Sequence, residues 1–305
     1  MPDSNPCPDG CSRPNRLTRH LIVAIPLVLT LIWAGDARAR SIRWSRVINA
    51  SPSSLSAKDK RRAAKLMNQI TVYYGCSDTV ANCLVSDPGC QTARRIAGII
   101  VRMVKKGRSD ARIKRQVKLR GVSAHPFKKY RFNLKHRPRL GATKAKVTLV
   151  EFAEFQCPFC RLLAPSLKRM VRKLASQGVA LVFKHFTVSS HPHSIPCSRA
   201  AYAAHKQGKF WQIYSLLYKN APRFSKSQVE GYARSLGLDM AKFRAVRDSR
   251  RSRVVVAADK KAGLRAGVKG TPTFFVNGKP YRARKDYMEM LDRLEEELNL
   301  VKGGR

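Results

Sequence analysis

The feature that most constrains this chain is a pair of cysteines, Cys157 and Cys160, separated by only two residues. A nearly continuous apolar run from Val147 to Phe152 precedes the pair, which is typical of a buried parallel strand. The residues from Cys157 to about Gln177 are predicted to form a helix. The two cysteines are therefore expected where the chain passes from a buried strand into a helix.

This position gives the two sulfurs different chemistry. The first N–H groups of a helix lack intrahelical partners and carry the positive end of the helix dipole. They stabilise a thiolate at Cys157, which lowers its pKa and makes it a nucleophile. Pro158 suits the first helical turn because it has no N–H to leave unpaired. Cys160, one turn later, can attack a mixed disulfide on Cys157 and release the partner.

Two other uses of such a pair are open, half of a zinc site and a structural clip. A zinc site requires two further ligands at suitable spacing, and Cys76, Cys83 and Cys90 do not supply a second such pair. His191 and His193 could form a metal pair, but an ordinary loop is the expected role of that segment. The junction of strand and helix therefore favours redox chemistry at the cysteine pair, and no metal or other cofactor is expected.

The elements that follow the cysteine pair predict an α/β domain. In order, the sequence predicts a strand over 179–186, a helical stretch over 197–262, a strand over 273–276, a two-residue hairpin turn at Asn277-Gly278 and a helix over 286–298. Ahead of the pair, Ser56 and Asp59 resemble a capping box that begins a helix reaching about Val72.

Four segments occur in an order that identifies a family. They are Val150–Phe152, Cys157–Cys160, Gln207–Trp211 and Gly270–Phe274. On these segments, the chain from about residue 145 to residue 300 resembles the thioredoxin superfamily, and specifically its DsbA-like thiol–disulfide oxidoreductases. The fold class implied is α/β, a thioredoxin fold with an inserted helical subdomain, preceded here by a small all-α module.

The resemblance implies roles for particular residues. Cys157 would be the nucleophile and Cys160 the resolving cysteine. Pro272 would be a cis-proline beside the pair, and the backbone of Thr271 would pair with an extended segment of the substrate.

The two residues between the cysteines, Pro158 and Phe159, are expected to contact the substrate as well. The strongest oxidants of the family have a histidine where this chain has Phe159, and that histidine helps to stabilise the thiolate. The thiolate of Cys157 should then be less stabilised than theirs, with a pKa between about 3.5 and 7. The disulfide is therefore expected to be a milder oxidant.

Glu151 lies within the apolar strand that precedes the cysteines. A carboxylate there is costly to bury unless it has a function or a partner. By resemblance it is the buried acid beneath the redox pair, and it would transfer a proton to and from Cys160. The alternative is a glutamate at a strand edge that faces solvent. Glu154 is nearer to the cysteines but is predicted to lie in the loop.

Four further cysteines lack an assigned role. Cys76, Cys83, Cys90 and Cys197 are candidates for two structural disulfides, which allow three pairings. A second redox pair among them is the alternative.

The N-terminal segment is predicted to direct export. Arg13, Arg16 and Arg19 precede an apolar run from Leu21 to Trp33, and Ala37-Arg38-Ala39 follows it, which is the layout of a secretory signal peptide cleaved after Ala39. As a helix the run reaches about 20 Å, short of the ~30 Å hydrocarbon core, although an uncleaved anchor is the alternative. A periplasmic or other extracytoplasmic location follows, with attachment to the inner membrane if the segment is retained.

These segments define a predicted organisation of the whole chain. It comprises a signal peptide or anchor over 1–39, a linker over 40–55, a helical cysteine-containing module over 56–120, a basic linker over 121–143 and a DsbA-like domain over 144–305 with its helical insert at about 194–262.

The charge of the chain is extreme, with 61 Lys and Arg against 19 Asp and Glu and a net charge of +42. The excess is spread along the whole sequence, whereas a nucleic-acid footprint usually clusters on one face. An anionic membrane surface is therefore an expected partner, and nucleic acid is not.

Together these features predict an exported thiol–disulfide oxidoreductase that introduces disulfides into reduced or misfolded exported proteins. A membrane oxidase or reductase would recycle it. One alternative is a disulfide isomerase or reductase of the cell envelope. The other is a non-enzymatic module on a thioredoxin-like scaffold that binds nucleic acid or an anionic surface.

Overall fold

A computed structural model describes residues 42–74, 78–222 and 224–303. The chain forms two compact units, one comprising the residues up to Gly121 together with those from Lys302, and the other comprising Val122–Val301. No helix among the described residues has the length and apolar character needed to cross a membrane. The predicted export segment over 1–39 and the disulfide candidate Cys76 lie outside the described residues.

The first unit is built from helices. They are α1 (Ala57–Gln69), α2 (Val80–Ser86), α3 (Gln91–Lys105) and most of α4 (Asp110–Ala124). Helix α1 begins where the sequence predicts, because the Ser56 hydroxyl accepts the N–H of Asp59 at 3.1 Å. It ends at Gln69, slightly earlier than predicted. Cys83 and Cys90 are buried in the apolar core of this unit.

The second unit contains a five-stranded mixed sheet in the order β1-β3-β2-β4-β5. The strands are β1 (Arg139–Gly141), β2 (Val147–Ala153), β3 (Val179–His185), β4 (Thr273–Val276) and β5 (Lys279–Pro280). Only β2 and β3 are parallel, and the other pairs are antiparallel. Residues of β2 belong to two different clusters of buried apolar side chains: Val150 and Phe152 lie in one, and Ala153 lies in the other. The strand is therefore buried on both of its faces.

Helix α5 (Pro158–Leu174) follows β2 and leads to β3. The insert between β3 and β4 consists of α6 (Ser194–His205), α7 (Phe210–Asn220), α8 (Lys226–Ser235), α9 (Met240–Asp248) and α10 (Arg250–Arg265). Helix α11 (Tyr287–Gly303) follows β5. The described chain therefore has the α/β fold class predicted from sequence, a thioredoxin-like sheet with an inserted helical subdomain.

Strand β1 is a difference from the sequence-based organisation, because it lies inside the segment predicted as a basic linker over 121–143. It is three residues long, pairs with β3 as the edge strand of the sheet, and is only partly buried. Such a short edge strand between charged residues leaves no clear apolar alternation in the sequence.

Candidate active site

Cys157 lies between the end of β2 and the start of α5, as the N-cap residue of the helix. Its Sγ accepts the N–H of Cys160 at 3.4 Å, which fixes the sulfur against the first helical turn. Pro158 occupies the first turn, where no intrahelical bond is lost. On its other side, the Cys157 thiol donates to the carbonyl oxygen of Thr271 at 3.3 Å.

The pairing of β2 with β4 brings Thr271 to this position. The two strands are antiparallel, with Phe152 opposite Thr273, so the residues just before β4 lie beside the loop that follows β2. The peptide bond between Thr271 and Pro272 is cis, and Pro272 is buried. Residues far apart in sequence are thereby gathered around one sulfur.

The two thiols of the pair have opposite acidities. The pKa of Cys157 is lowered to about 6, first by the hydrogen bond from the Cys160 thiol and further by the backbone N–H groups of Cys160 and Phe159. Burial opposes this shift. The pKa of Cys160 is raised far above its ordinary value, mainly by burial and then by its neighbour Cys157. Cys157 therefore ionises first, with a pKa inside the range expected from the sequence.

Glu151 is fully buried in the middle of β2, between β3 and β4. Its Oε2 lies 3.5 Å from the hydroxyl of Tyr214, and its Oε1 has no hydrogen-bond partner among the described residues. Burial raises its pKa to about 8. The charge of Glu151 also contributes to the raised pKa of Cys160. A carboxyl group that titrates near neutral pH is suited to proton transfer.

Glu154 has a larger structural role than was expected of a residue in a loop. It is fully buried, and its Oε2 accepts the N–H of Gln156 at 2.9 Å, just before Cys157. Its Oε1 lies 2.6 Å from Nδ1 of His191. The side chain of Glu154 therefore braces the loop that carries the nucleophile.

His191 and His193 each hydrogen-bond to a residue of the loop that precedes Cys157. His191 is paired with Glu154, and the N–H of His193 donates to Oε1 of Gln156 at 2.6 Å. Across the described ranges, no group of three or more His, Cys, Asp or Glu residues is placed to hold a metal ion.

Two tyrosines near the site were not singled out in the sequence. Tyr214 contacts Glu151, and the Tyr218 hydroxyl donates to the carbonyl oxygen of Glu154 at 3.2 Å. Their rings meet edge to face with centroids 4.7 Å apart. Both lie on α7, three and seven residues after Trp211. This helical spacing of aromatic residues is the one feature of the sequence that could have indicated them.

The remaining predicted residues lie in different environments. Pro158 and Phe159, between the two cysteines, are exposed, Phe159 to 67%. Leu162 on the next turn is 70% exposed. Cys197, a disulfide candidate, is a buried free thiol in this structure, with its pKa raised to about 12 by burial and by the charge of Glu154.

The comparisons with known proteins agree with this geometry. The thioredoxin family matches residues 133–296, which is more than half of the chain. Na(+)/H(+) antiporter NhaA 1 of Salinispora arenicola is 34% identical over 140 residues, 46% of this chain and 21% of that protein. Na(+)/H(+) antiporter NhaA 3 of Salinispora tropica is 36% identical with the same coverage. The chain thus spans about a fifth of the length of the curated relatives it matches.

Solved structures show the same fold. Oxidised BdbD from Bacillus subtilis superimposes with a TM-score of 0.50 and 24% identity, covering 56% of this chain and 97% of that one. Proteus mirabilis ScsC in a compact conformation gives a TM-score of 0.50 and 18% identity, covering 63% and 91%. The resemblance to the thioredoxin superfamily noted in the sequence is confirmed: the chain belongs to the thioredoxin family.

Proposed function

We propose that this protein is an exported thiol–disulfide oxidoreductase that introduces disulfides into substrate proteins through Cys157 and Cys160. The observation that carries the proposal is the opposite acidity of the two thiols, because Cys157 has a pKa of about 6 while that of Cys160 is strongly raised. A stable thiolate at the first cysteine favours the reduced pair, and this makes the disulfide form an oxidant.

The reaction begins with the pair as a disulfide. A substrate thiolate attacks Sγ of Cys157, the bond between Cys157 and Cys160 breaks, and Cys160 leaves and takes up a proton. Glu151 is the donor we assign, because it is protonated at neutral pH when its pKa is about 8. A second substrate thiolate then attacks the substrate sulfur of the mixed disulfide. Cys157 leaves as a thiolate, and two electrons have passed from the substrate to the pair.

Binding of the substrate would use the surface around the sulfur. Thr271 and the cis-Pro272 lie beside Cys157, where an extended substrate segment would pair with the backbone of Thr271. The exposed side chains of Phe159 and Leu162 offer an apolar contact to an unfolded chain. Reduced or misfolded exported proteins are the substrates that fit this surface.

The remaining parts of the proposal concern the cell. The predicted export segment would bring the protein to an extracytoplasmic compartment, where disulfides persist. The reduced pair needs an electron acceptor, and a quinone-linked membrane oxidase is the class of partner proposed. An isomerase or reductase uses the same two sulfurs, and the redox equilibrium distinguishes it from an oxidase.

The test uses a reduced, unfolded model protein that is active only when its disulfides have formed. The oxidised protein should restore its activity, Cys157→Ser should abolish the effect, and Cys197→Ser, which removes a buried thiol outside the Cys157–Cys160 pair, should leave it intact. Oxidation that survives Cys157→Ser contradicts the proposal. Equilibration with glutathione gives the direction, since an oxidase should remain reduced where the glutathione pool is still largely oxidised.

A further inference from the structure

A cleft of about 650 Å³ lies between α5 and α7. The α5 wall carries side chains three or four residues apart, and the α7 wall carries two tyrosine rings and a hydroxyl. The lining residues are Arg161, Ala164, Pro165, Lys168, Arg169, Arg172, Tyr214, Ser215, Tyr218 and Lys219. The volume lies within the range of ordinary ligand-binding clefts.

The charge of this cleft is uncompensated. It is lined by five cations and no acidic residue, and none of those cations forms an ion pair among the described residues. The ammonium of Lys168 lies 2.5 Å from the hydroxyl of Ser215. Its pKa is lowered by burial and by the positive charge of Arg172. Lys168 and Arg172 thus lie one turn apart on α5, and neither has a carboxylate partner among the described residues.

Two other clefts formed by described residues carry fewer unpaired cations. A second cleft, of about 360 Å³, includes Arg247, but that guanidinium is already paired with Glu230 at 2.7 Å and with Asp248 at 2.7 Å. A third, of about 460 Å³, has no Lys or Arg among its described lining residues. Of these three clefts, the one between α5 and α7 therefore has the most cations without an ion pair among the described residues.

The dimensions of the cleft favour an extended segment over a compact small molecule. The lining residues of α5 extend from Arg161 to Arg172, roughly 16 Å along a helix. An extended peptide advances about 3.3 Å per residue, so about five residues match that length. The rings of Tyr214 and Tyr218 give the site an apolar surface between its cations. One end, at Arg161, directly follows Cys160.

We propose that the cleft between α5 and α7 is a docking site for an acidic peptide segment of a partner protein, bound by Lys168, Arg172 and Lys219. The inference deepens the proposed function, since the partner would be one that exchanges disulfides with Cys157. Binding itself needs no thiol chemistry and can be measured separately.

The test is fluorescence anisotropy with a fluorescein-labelled, cysteine-free peptide of glutamate, tyrosine and phenylalanine residues at physiological salt. Arg172→Glu with Lys219→Glu should weaken binding roughly tenfold or more, and the milder glutamine double variant should weaken it less. The matched control, Arg251→Glu with Arg253→Glu on α10, makes the same change in net charge and should alter the affinity less than about twofold. Circular dichroism melts establish that each variant folds.

Several outcomes overturn the docking site. Equal weakening in the two charge-reversed variants would mean general attraction to a basic protein. Equal affinity for the glutamate peptide and its glutamine counterpart would remove the role of charge, and a response only to vesicles of anionic lipid would assign the cleft to a membrane. Cys157→Ser should bind the peptide like the wild type. Loss of oxidase activity in an otherwise peptide-binding protein therefore counts against the proposed function alone.

Discussion

At the scale of the residue, the site places two thiols, and likewise two carboxyl groups, in different environments. Cys157 is held at a helix N-terminus by a thiol and backbone N–H donors, whereas Cys160 is buried beside a carboxyl group. Glu151 is buried with one oxygen lacking a hydrogen-bond partner among the described residues, whereas Glu154 is bonded through both oxygens. Burial with a single long hydrogen bond, from Tyr214, leaves Glu151 able to exchange a proton, and pairing through both oxygens makes Glu154 structural.

The raised pKa of Glu151 should make stability depend on pH. Between its ordinary pKa of 4.5 and the folded value of about 8, the folded state binds one proton more than the unfolded state. The free energy of unfolding therefore falls as pH rises, by about 1.4 kcal/mol per pH unit from this group. Denaturant unfolding of the disulfide form should show this slope in the wild type, and Glu151→Gln should remove it.

Working with the disulfide form keeps Cys157 from titrating over the same range, so the difference between the two proteins reports Glu151 alone. Parallel curves for the wild type and Glu151→Gln from pH 5 to pH 8 would mean that the acid is ionised in the folded protein. The proton-transfer role would then be excluded.

At the scale of the element, the hairpin between β4 and β5 fixes the strand that follows Pro272. Asn277 and Gly278 have φ values of 48° and 77°, as expected of the Asn-Gly turn predicted from sequence. The Asn277 side chain accepts the N–H of Thr148 at 2.8 Å, which ties the turn to β2. A Cβ at Gly278 would lie 2.2 Å from the carbonyl oxygen of Tyr130.

Gly278→Ala should therefore destabilise the protein by more than the cost of placing an alanine at a positive φ. Gly267→Ala is the matched control, because Gly267 has a φ of 74° with no atom within 4 Å of an added Cβ. We expect the control to cost about 1 kcal/mol and Gly278→Ala to cost several kcal/mol more, measured by thermal and denaturant unfolding. Equal losses would show that the backbone near Tyr130 moves aside freely.

The sequence predicted elements with strong local signals and missed those formed by distant contacts. The capped start of α1, the buried strand β2 and the Asn277 turn each depend on a few neighbouring residues. Strand β1 was missed because it is a short edge strand whose partner, β3, lies far along the chain. Tyr214 was missed as a site residue for a related reason, since its contact with Glu151 is created by the packing of the helical insert.

At the scale of the whole molecule, a net charge of +42 has to be reconciled with a packed interior. One solution in the second unit is the fully buried Asp259 on α10, which pairs with Lys184 of β3 and with Arg137 at 2.8 Å. It also accepts the N–H of His185 at 3.3 Å. One carboxylate thus links the segment before β1, the sheet and the helical insert.

Asp259→Asn should lower the free energy of unfolding by about 3–5 kcal/mol, because it leaves the buried ammonium of Lys184 without its counter-charge. Asp248→Asn is the matched control, since the Asp248 side chain is 58% exposed and its partner Arg247 keeps a second carboxylate, Glu230, so this change should cost no more than about 1 kcal/mol. Urea unfolding of both variants at neutral pH gives the comparison. A small loss for both would mean that the Asp259 pairs contribute little to stability.

The central claim is that Cys157 is the acidic nucleophile of the pair, and alkylation tests it most directly. The reduced protein is treated with iodoacetamide at a series of pH values, and the modified cysteines are identified by peptide mass. We predict a rate that rises with a midpoint near pH 6, with the label on Cys157 and none on Cys160. A midpoint near pH 9, or a label on Cys160 before Cys157, would contradict the account.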